Sequence, residues 1–118
     1  MATYEKISLS NSPQGGGIYL STFTETTVHE TSFSSSVMDE VWLYLTNYQD
    51  DNVTIVIRVD GVGVARIQIT ATDNVKLIIP GFLFTAAGTG TTPLTISAEK
   101  ITPGGDVFVF GYVNRITP

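Results

Sequence analysis

One histidine and a few carboxylates are the side chains of this chain that could do acid–base chemistry. His29 is the only histidine, and it lies in the run Thr27-Val28-His29-Glu30-Thr31. Because side chains alternate between the two faces of a strand, His29 is expected opposite Val28, on a polar face. A serine nucleophile would need this histidine and a carboxylate to meet it in space. One histidine among many serines gives that arrangement little support.

Two acidic pairs and one glycine-rich segment are the other candidates for chemistry. Asp39 and Glu40 are adjacent in a predicted strand, so their carboxylates are expected on opposite faces rather than as a working pair. Asp50-Asp51-Asn52 offers oxygen ligands for calcium, but we favour an ordinary Asx turn. Gly88-Thr89-Gly90 lacks the Gly-Lys-Ser/Thr of a phosphate-binding loop. The sequence therefore predicts no catalytic residue, no cofactor and no metal site, and a protein that is not an enzyme.

Length and cysteine content narrow the class further. The chain has 118 residues, which is enough for one domain with one hydrophobic core. It contains no cysteine, which excludes a disulfide scaffold, a thiol nucleophile and a thiolate zinc site together.

The charge distribution argues against nucleic acid as a partner, and the length of the apolar stretches argues against a membrane. The net charge is −5, and the segment from Ile7 to Ile57 contains six acidic residues without a lysine or arginine. An acidic surface repels phosphate, so nucleic acid is not expected as a partner. The longest apolar stretch, Val75 to Phe84, contains Lys76 and Pro80-Gly81 and is shorter than the ~20 residues that cross a bilayer. A membrane is therefore not expected as a partner either.

The hydrophobic pattern predicts strands throughout. Helix-forming residues are scarce, and no segment keeps apolar residues at the helical spacing. Instead, about eight to ten short strands are separated by turn residues at a spacing typical of β-sandwiches and jelly rolls. We therefore predict an all-β, single-domain antiparallel β-sandwich that is jelly-roll-like.

Several pairings follow from the pattern in the middle of the chain. A strand over Met38 to Thr46 is expected to pair with a strand over Val53 to Val59. Asp60-Gly61 between apolar residues predicts a tight hairpin, and a shift in apolar parity predicts a bulge near Gly63. The next strand, from Val75, is expected to end at Pro80-Gly81.

The first 25 residues are the least similar to a core. Their apolar pattern is diluted by Thr and Ser, and Gly15 to Gly17 reads as a hinge. We expect residues 1–25 to form an extended N-terminal arm or edge strands, and residues 26–118 to form the β-sandwich domain.

Aromatic residues occupy one face of two predicted strands, the strand that contains Trp42 and the strand that contains Phe108. In both strands aliphatic residues take one face and aromatic residues the other, whereas a sandwich of two sheets buries only one face of each. The aromatic residues could be the core, an oligomer or capsid interface, or a sugar-binding face, and we favour core or interface. They are Trp42, Tyr44, Phe108, Phe110 and Tyr112.

Three segments together resemble a known class of proteins. They are Val37-Met38-Asp39-Glu40-Val41-Trp42-Leu43-Tyr44-Leu45-Thr46-Asn47, Leu77-Ile78-Ile79-Pro80-Gly81, and Gly111-Tyr112-Val113-Asn114-Arg115-Ile116. In this order they resemble small virion structural proteins of tailed bacteriophages, of the capsid decoration (cement) or head-fibre type. The resemblance covers residues 37 to 116, and residues 1 to 36 carry no part of it.

The resemblance implies a structural role on the outside of a virion. It implies a β-sandwich or jelly-roll subunit that forms a homo-oligomer, with a trimer favoured, and binds the major capsid protein. Such a subunit sits on the capsid surface and stabilises contacts between neighbouring capsid proteins. A tail- or fibre-associated structural protein and a carbohydrate-binding, lectin-like β-sandwich module are the alternatives.

Overall fold

The residues that the structure describes form nine strands, and the predicted all-β sandwich is confirmed. The computed structural model describes residues 2–12, 14–34, 36–48, 52–70, 75–86 and 92–118, and these ranges contain no helix. The strands are β1 (Thr3–Ser8), β2 (Ile18–Tyr19), β3 (Thr26–Glu30), β4 (Met38–Asn47), β5 (Val53–Val59), β6 (Val62–Ile69), β7 (Val75–Phe84), β8 (Thr95–Lys100) and β9 (Val107–Thr117).

The strands form two antiparallel sheets in jelly-roll order. Sheet A has the order β1-β9-β4-β7, with β2 also paired to β9, and sheet B has the order β3-β8-β5-β6. The pairs are nested along the chain: β5 with β6, β4 with β7, β3 with β8, and β1 and β2 with β9. This is the topology of a long hairpin wound into two sheets.

The core between the sheets is aliphatic. Alternate residues of β4 and β9 point inward and are fully buried, among them Val41, Leu43, Leu45, Val109 and Val113. Sheet B contributes Ile55, Ile57 and Ile96 to the same cluster. The aliphatic faces of β4 and β9 therefore point into the core, and the aromatic faces of these two strands point outward.

The predicted hairpin and bulge are both confirmed. Asp60 and Gly61 have φ angles of 49° and 80° between β5 and β6, as a type I′ turn requires. The register shifts from Ile57 opposite Ala65 to Arg58 opposite Gly63, so that Val64 is the extra residue.

The expected pairing of β4 with β5 is wrong. β4 lies in sheet A between β9 and β7, and β5 lies in sheet B between β8 and β6. Both strands direct an aliphatic face to the same core, and two consecutive strands can do so from opposite sides of it. The chain therefore changes sheet between β4 and β5 instead of forming a hairpin.

The expected strand end at Pro80-Gly81 is also wrong. β7 continues to Phe84, and the register with β4 shifts so that Gly81 is the extra residue between Pro80 and Phe82. β7 is the edge strand of sheet A, where a proline without an N–H is tolerated. Gly81 has a φ of 80°, which suits the bulge. The two residues therefore kink the strand without ending it.

The first 25 residues include two strands at the edge of sheet A. β1 and β2 both pair with β9, and the side chains of Leu9, Ile18 and Leu20 are buried in the core. β2 consists of only two residues.

Two of the sequence predictions lie outside the described residues, namely those on Asp50-Asp51 and on Gly88-Thr89-Gly90. Within the described ranges, no helix is long and apolar enough to cross a membrane.

Candidate functional site

The five predicted aromatic residues lie together on the outer face of sheet A. Since Val41, Leu43 and Leu45 point into the core, Trp42 and Tyr44 of β4 point outward. On β9 the same alternation turns Phe108, Phe110 and Tyr112 outward. We call these five residues the aromatic face.

Strand register places the five residues side by side on the sheet. Trp42 lies opposite Tyr112 and Tyr44 opposite Phe110, while Phe108 lies opposite Thr46. The rings of Trp42 and Tyr112 are stacked, with centroids 6.1 Å apart and planes 12° apart. The rings of Phe108 and Phe110 are 6.4 Å apart. The aromatic face therefore contains two pairs of neighbouring rings, with Tyr44 opposite Phe110 between them.

The rest of the described chain covers the aromatic face only in part. Four of its residues are only half-buried, and Phe110 is 38% exposed. Tyr19 of β2 extends it, with its ring 5.3 Å from that of Phe108. Outward residues of β1, β4 and β7 add further exposed apolar area: Tyr4, Met38, Val75, Leu77 and Leu83.

Sequence reasoning did not identify this extension. The alternation of β7 is hidden by two register shifts, which bring Leu77, Pro80 and Leu83 all opposite outward residues of β4. Tyr19 was hidden because β2 is only two residues long. Only the strand register reveals these neighbours.

Two glycines allow the backbone to pack closely on two of the rings. A Cβ on Gly81 would lie 2.7 Å from Trp42 Cζ2, so the indole packs directly on the bulge of β7. A Cβ on Gly17 would lie 2.5 Å from Phe110 Cζ, so the backbone before β2 covers part of that ring. The backbone therefore packs directly against one side of each of these two rings.

A cleft of about 330 Å³ opens at one end of the aromatic face. Its apolar floor is made by Phe108 and Phe110, and its rim carries a hydroxyl, an amide and a phenol. The lining residues are Gly17, Thr46, Asn47, Tyr48, Phe108 and Phe110. No charged side chain lines the cleft among the described residues, so the arrangement suits an uncharged, largely apolar group.

A polar row crosses the other end of the aromatic face. Glu40 Oε1 accepts hydrogen bonds from Trp42 Nε1 at 2.8 Å and from Asn114 Nδ2 at 2.9 Å. The bonds from Asn114 and Trp42 hold the pKa of Glu40 below its ordinary value. Lys6 Nζ lies 4.2 Å from the ring centroid of Tyr112, a cation–π contact. We call Lys6, Asn114 and Glu40 the polar row.

A second cluster, which sequence reasoning missed, lies between the two sheets. His29 Nε2 lies 2.7 Å from Asp39 Oδ2. Asp39 also accepts two hydrogen bonds from Arg115, from Nε at 2.8 Å and from Nη2 at 2.9 Å. As predicted, Asp39 and Glu40 point to opposite faces, because Asp39 is fully buried and Glu40 lies on the outer face.

The expected position of His29 on a polar face is wrong. The register of β3 with β8 shifts between Thr27 and His29, and Val28 and His29 are both fully buried. A β-bulge breaks the strict alternation on which the prediction depended. Composition gave no signal for this, because a bulge in an edge strand depends on the partner strand.

The cluster does not form a catalytic triad. Ser10 meets His29 through its backbone N–H, which donates to Nδ1 at 3.1 Å, and not through its hydroxyl. The Ser10 hydroxyl instead accepts from the Glu30 N–H. Both ring nitrogens of His29 are therefore engaged, by a backbone amide and by Asp39, and neither is available to activate a serine.

Asp39 is held as a carboxylate by its partners. Burial alone would raise the pKa of Asp39, but the hydrogen bonds from Arg115 and His29, together with the positive charge of Arg115, outweigh it and lower the pKa. The ion pair links β4 to β9, and the histidine links both to β3. The arrangement stabilises the sandwich at one end of the core.

A viral structure is among the solved structures that match this chain. It is a chain of infectious bursal disease virus, Gt strain, with a TM-score of 0.45 and 13% sequence identity. The match covers 98% of this chain and 32% of that chain, so this chain spans about a third of that chain's length. No family model matches the chain, and no curated protein matches it.

Proposed function

We propose that this chain is a non-enzymatic virion structural protein that binds the outside of a phage capsid and stabilises contacts between major capsid proteins. The observation that carries the proposal is the aromatic face, a group of neighbouring rings on the outer side of a sheet whose inner side already forms the core. Its location in this proposal is the capsid surface.

The size of the apolar surface supports a protein partner. Strands lie ~4.8 Å apart and same-face residues ~6.8 Å apart along a strand, so the outer face of sheet A has a footprint of roughly 500 Å². That is near the upper end of apolar patches on monomers, which at this size are often functional. A standard interface buries ~800 Å² per partner. The aromatic face with its neighbours on β7 and β2 is large enough to supply most of one.

The chemistry of the surface supports the same conclusion. Interface centres are enriched in Trp, Tyr and Phe and depleted in charged residues, with polar groups at the rim. Here Trp42, Tyr112 and Phe110 form the centre, and charges occur in the polar row at one end. The cleft beside Phe110 offers a place for an apolar side chain of the partner, the kind of anchor that dominates binding energy.

The proposed partners are further copies of the same chain, with a trimer favoured, and the major capsid protein. A homo-oligomer presents several copies of each contact to a repeating lattice. Multivalent attachment of this kind is strong even where each single contact is weak. The stabilisation of the capsid would be mechanical, through area buried between neighbouring capsid proteins.

The test is addition of purified protein to particles that lack it. We expect the wild-type protein to bind in hundreds of copies and to raise the temperature at which the particles release their DNA. The Trp42→Ala variant is expected to bind at least about 30-fold more weakly, as loss of a central aromatic contact implies. Circular dichroism checks that the variant keeps its fold.

Phe33→Ala is the matched control, since Phe33 is an exposed aromatic residue in the connection between β3 and β4 and belongs to neither sheet. It should bind as the wild type does. Failure of the wild-type protein to bind the particles, or equal binding of wild type and Trp42→Ala, would contradict the proposal.

Two alternative functions predict different results. Binding to tails or fibres instead of heads would identify a tail-associated structural protein. One observation favours a carbohydrate-binding module: the polar row places Glu40 and Asn114 directly beside Trp42, the combination of ring and hydrogen-bonding groups that holds sugars. A glycan array with binding abolished by Trp42→Ala would support that alternative.

A further inference from the structure

A groove of about 410 Å³ lies on the outer face of sheet B, on the opposite side of the sandwich from the aromatic face. Val56 points into it, because the neighbouring Ile55 and Ile57 are fully buried in the core on the other side of the strand. The groove crosses from β5 to the edge strand β6. Its lining residues are Val56, Arg58, Gly63, Val64, Ala65 and Arg66.

The bulge in the hairpin of β5 and β6 shapes this groove. Gly63 lies opposite Arg58 and carries no side chain, so the outer face of the sheet is open at this position. Val56 is only 7% exposed and provides apolar surface, to which Val64 and Ala65 add. The hairpin therefore places two guanidinium groups beside a small apolar surface.

The two arginines keep hydrogen-bond donors that the protein does not use. Arg58 Nη1 forms an ion pair with Glu99 Oε1, which orients the guanidinium. The other side-chain nitrogens of Arg58, and the whole guanidinium of the exposed Arg66, have no hydrogen-bond partner among the residues that the structure describes. The forked N–H groups of a guanidinium match the two oxygens of a carboxylate. The groove therefore has the donors that an oxyanion needs.

The acidic residues of this outer face lie on the side away from β6. Glu99 of β8 is paired with Arg58, and Glu25 accepts a hydrogen bond at 2.6 Å from the hydroxyl of Ser97, also on β8. These two carboxylates repel a dianionic phosphate more strongly than a carboxylate, which carries a single negative charge. A carboxylate is therefore the oxyanion that suits the groove.

The basic residues lie on the β6 side. Arg66 is on β6 itself, and Lys76 of β7 donates from Nζ to the Gln68 carbonyl of β6 at 3.2 Å. The charge of this face therefore changes from positive at β6 to negative at β8. A carboxylate on an aliphatic stem, as in aspartate or glutamate, matches both the unused guanidinium of Arg66 and the apolar surface of Val56.

We propose that the groove binds a carboxylate side chain of a protein partner, held by Arg66 and Arg58 while its aliphatic stem packs on Val56. Hydrogen bonds between a guanidinium and a carboxylate are about twice as strong as those between neutral groups. The site goes beyond the proposed function, because it is a second contact surface on the side of the sandwich that the aromatic face does not occupy.

The first test uses the wild-type protein and a probe with one carboxylate, the peptide acetyl-Leu-Glu-Leu-amide. NMR follows its titration through the amides of Gly63 and Ala65 and the Nε–H groups of Arg58 and Arg66. We expect saturable shifts at these groups. The matched peptide with glutamine in place of glutamate should bind at least about tenfold more weakly, as loss of a hydrogen bond to a charged group implies. Equal binding of both peptides, shifts confined to other residues, or tighter binding of inorganic phosphate would overturn the proposal.

The second test compares three variants with the same peptide. Arg66→Gln removes the unused guanidinium from an exposed position and should weaken binding at least about tenfold. Lys6→Gln is the matched control, because it makes the same change of charge on sheet A, and it should bind as the wild type does. Equal binding by these two variants would overturn the proposal.

Gly63→Ala, the third variant, tests the groove itself. The new Cβ would lie 3.7 Å from Val56 Cγ1, an ordinary contact, so the fold accepts the methyl group while the groove becomes shallower. Peptide binding should weaken although every charge is kept. Unchanged binding by Gly63→Ala would also overturn the proposal, because the peptide would then lie outside the groove.

Discussion

Trp42 on β4 and Tyr112 on β9 are direct cross-strand neighbours whose rings stack, with centroids 6.1 Å apart, on the outer side of sheet A. The indole N–H is donated to Glu40, and the indole ring packs on Gly81. Trp42 is thus held on three sides by its own chain and open on the fourth. A large side chain fixed in this way loses little conformational entropy when a partner covers it.

Replacement of Trp42 by Ala is expected to dissociate the proposed homo-oligomer. The change removes the largest ring at the centre of the aromatic face, and central aromatic residues contribute at least about 2 kcal/mol to association where they are hot spots. Light scattering coupled to size exclusion measures the mass in solution. Phe33→Ala, at an exposed aromatic residue outside the sheets, should leave the mass unchanged.

Replacement of Arg115 by Ala is expected to destabilise the fold strongly. Asp39 would stay fully buried without its guanidinium partner, and removing one member of a buried ion pair costs about 3–5 kcal/mol. The control is Arg58→Ala, which breaks the partly exposed pair with Glu99 and should cost at most about 1 kcal/mol. Urea denaturation of both variants gives the two free energies, and equal losses would contradict the role given to the buried pair.

The stability of the fold is expected to fall in acid through Asp39. Its folded-state pKa is lowered, so the unfolded state binds the proton more readily. The stabilisation is complete above the unfolded value of ~3.9 and is lost as the pH falls through the folded-state pKa. Unfolding free energies of wild type and Asp39→Asn between pH 2 and pH 5 measure this. The wild-type curve should fall more steeply below about pH 4, and parallel curves would contradict the assignment.

Replacement of Gly81 by Ala is expected to displace the indole ring of Trp42, which packs on Gly81. Gly81 has a φ of 80°, and its new Cβ would lie 2.7 Å from Trp42 Cζ2. A non-glycine residue in this region of φ costs about 1–3 kcal/mol before the ring is displaced. Trp42 is the only tryptophan, so its fluorescence reports both the shift of the ring and the loss of stability.

Gly16→Ala is the control for Gly81→Ala, because a Cβ there meets nothing within 4 Å. It should leave the fluorescence unchanged and the stability within about 0.5 kcal/mol of wild type. A Gly81→Ala protein that matches Gly16→Ala in both measurements would contradict the packing of Trp42 on the bulge.

The sequence was sufficient to predict features that lie within a single strand or a single hairpin. The alternation in β4 and β9 predicted which residues share a face, and Asp60-Gly61 predicted the hairpin between β5 and β6. These features depend on neighbours in sequence, so local patterns determine them. The same holds for Asp39 and Glu40, which point to opposite faces as expected.

The sequence was insufficient where the outcome depends on a partner strand. β4 and β5 each have an aliphatic face, and nothing local says whether they lie side by side or across the core. The bulges at Gly81 and before His29 depend on strand register, so β7 was cut short and the burial of His29 was missed. The cluster with Asp39 and Arg115 joins residues far apart in the chain, which no local pattern links.

The most direct test of the central claim is a cryo-EM reconstruction of the assembled virion. The claim is that another subunit covers the outer face of sheet A. We predict density of a neighbouring subunit packed against Trp42 and Phe110, with an apolar side chain in the cleft beside Phe108. A virion that lacks the chain, or one in which the chain is attached through sheet B with these rings facing solvent, would contradict the claim.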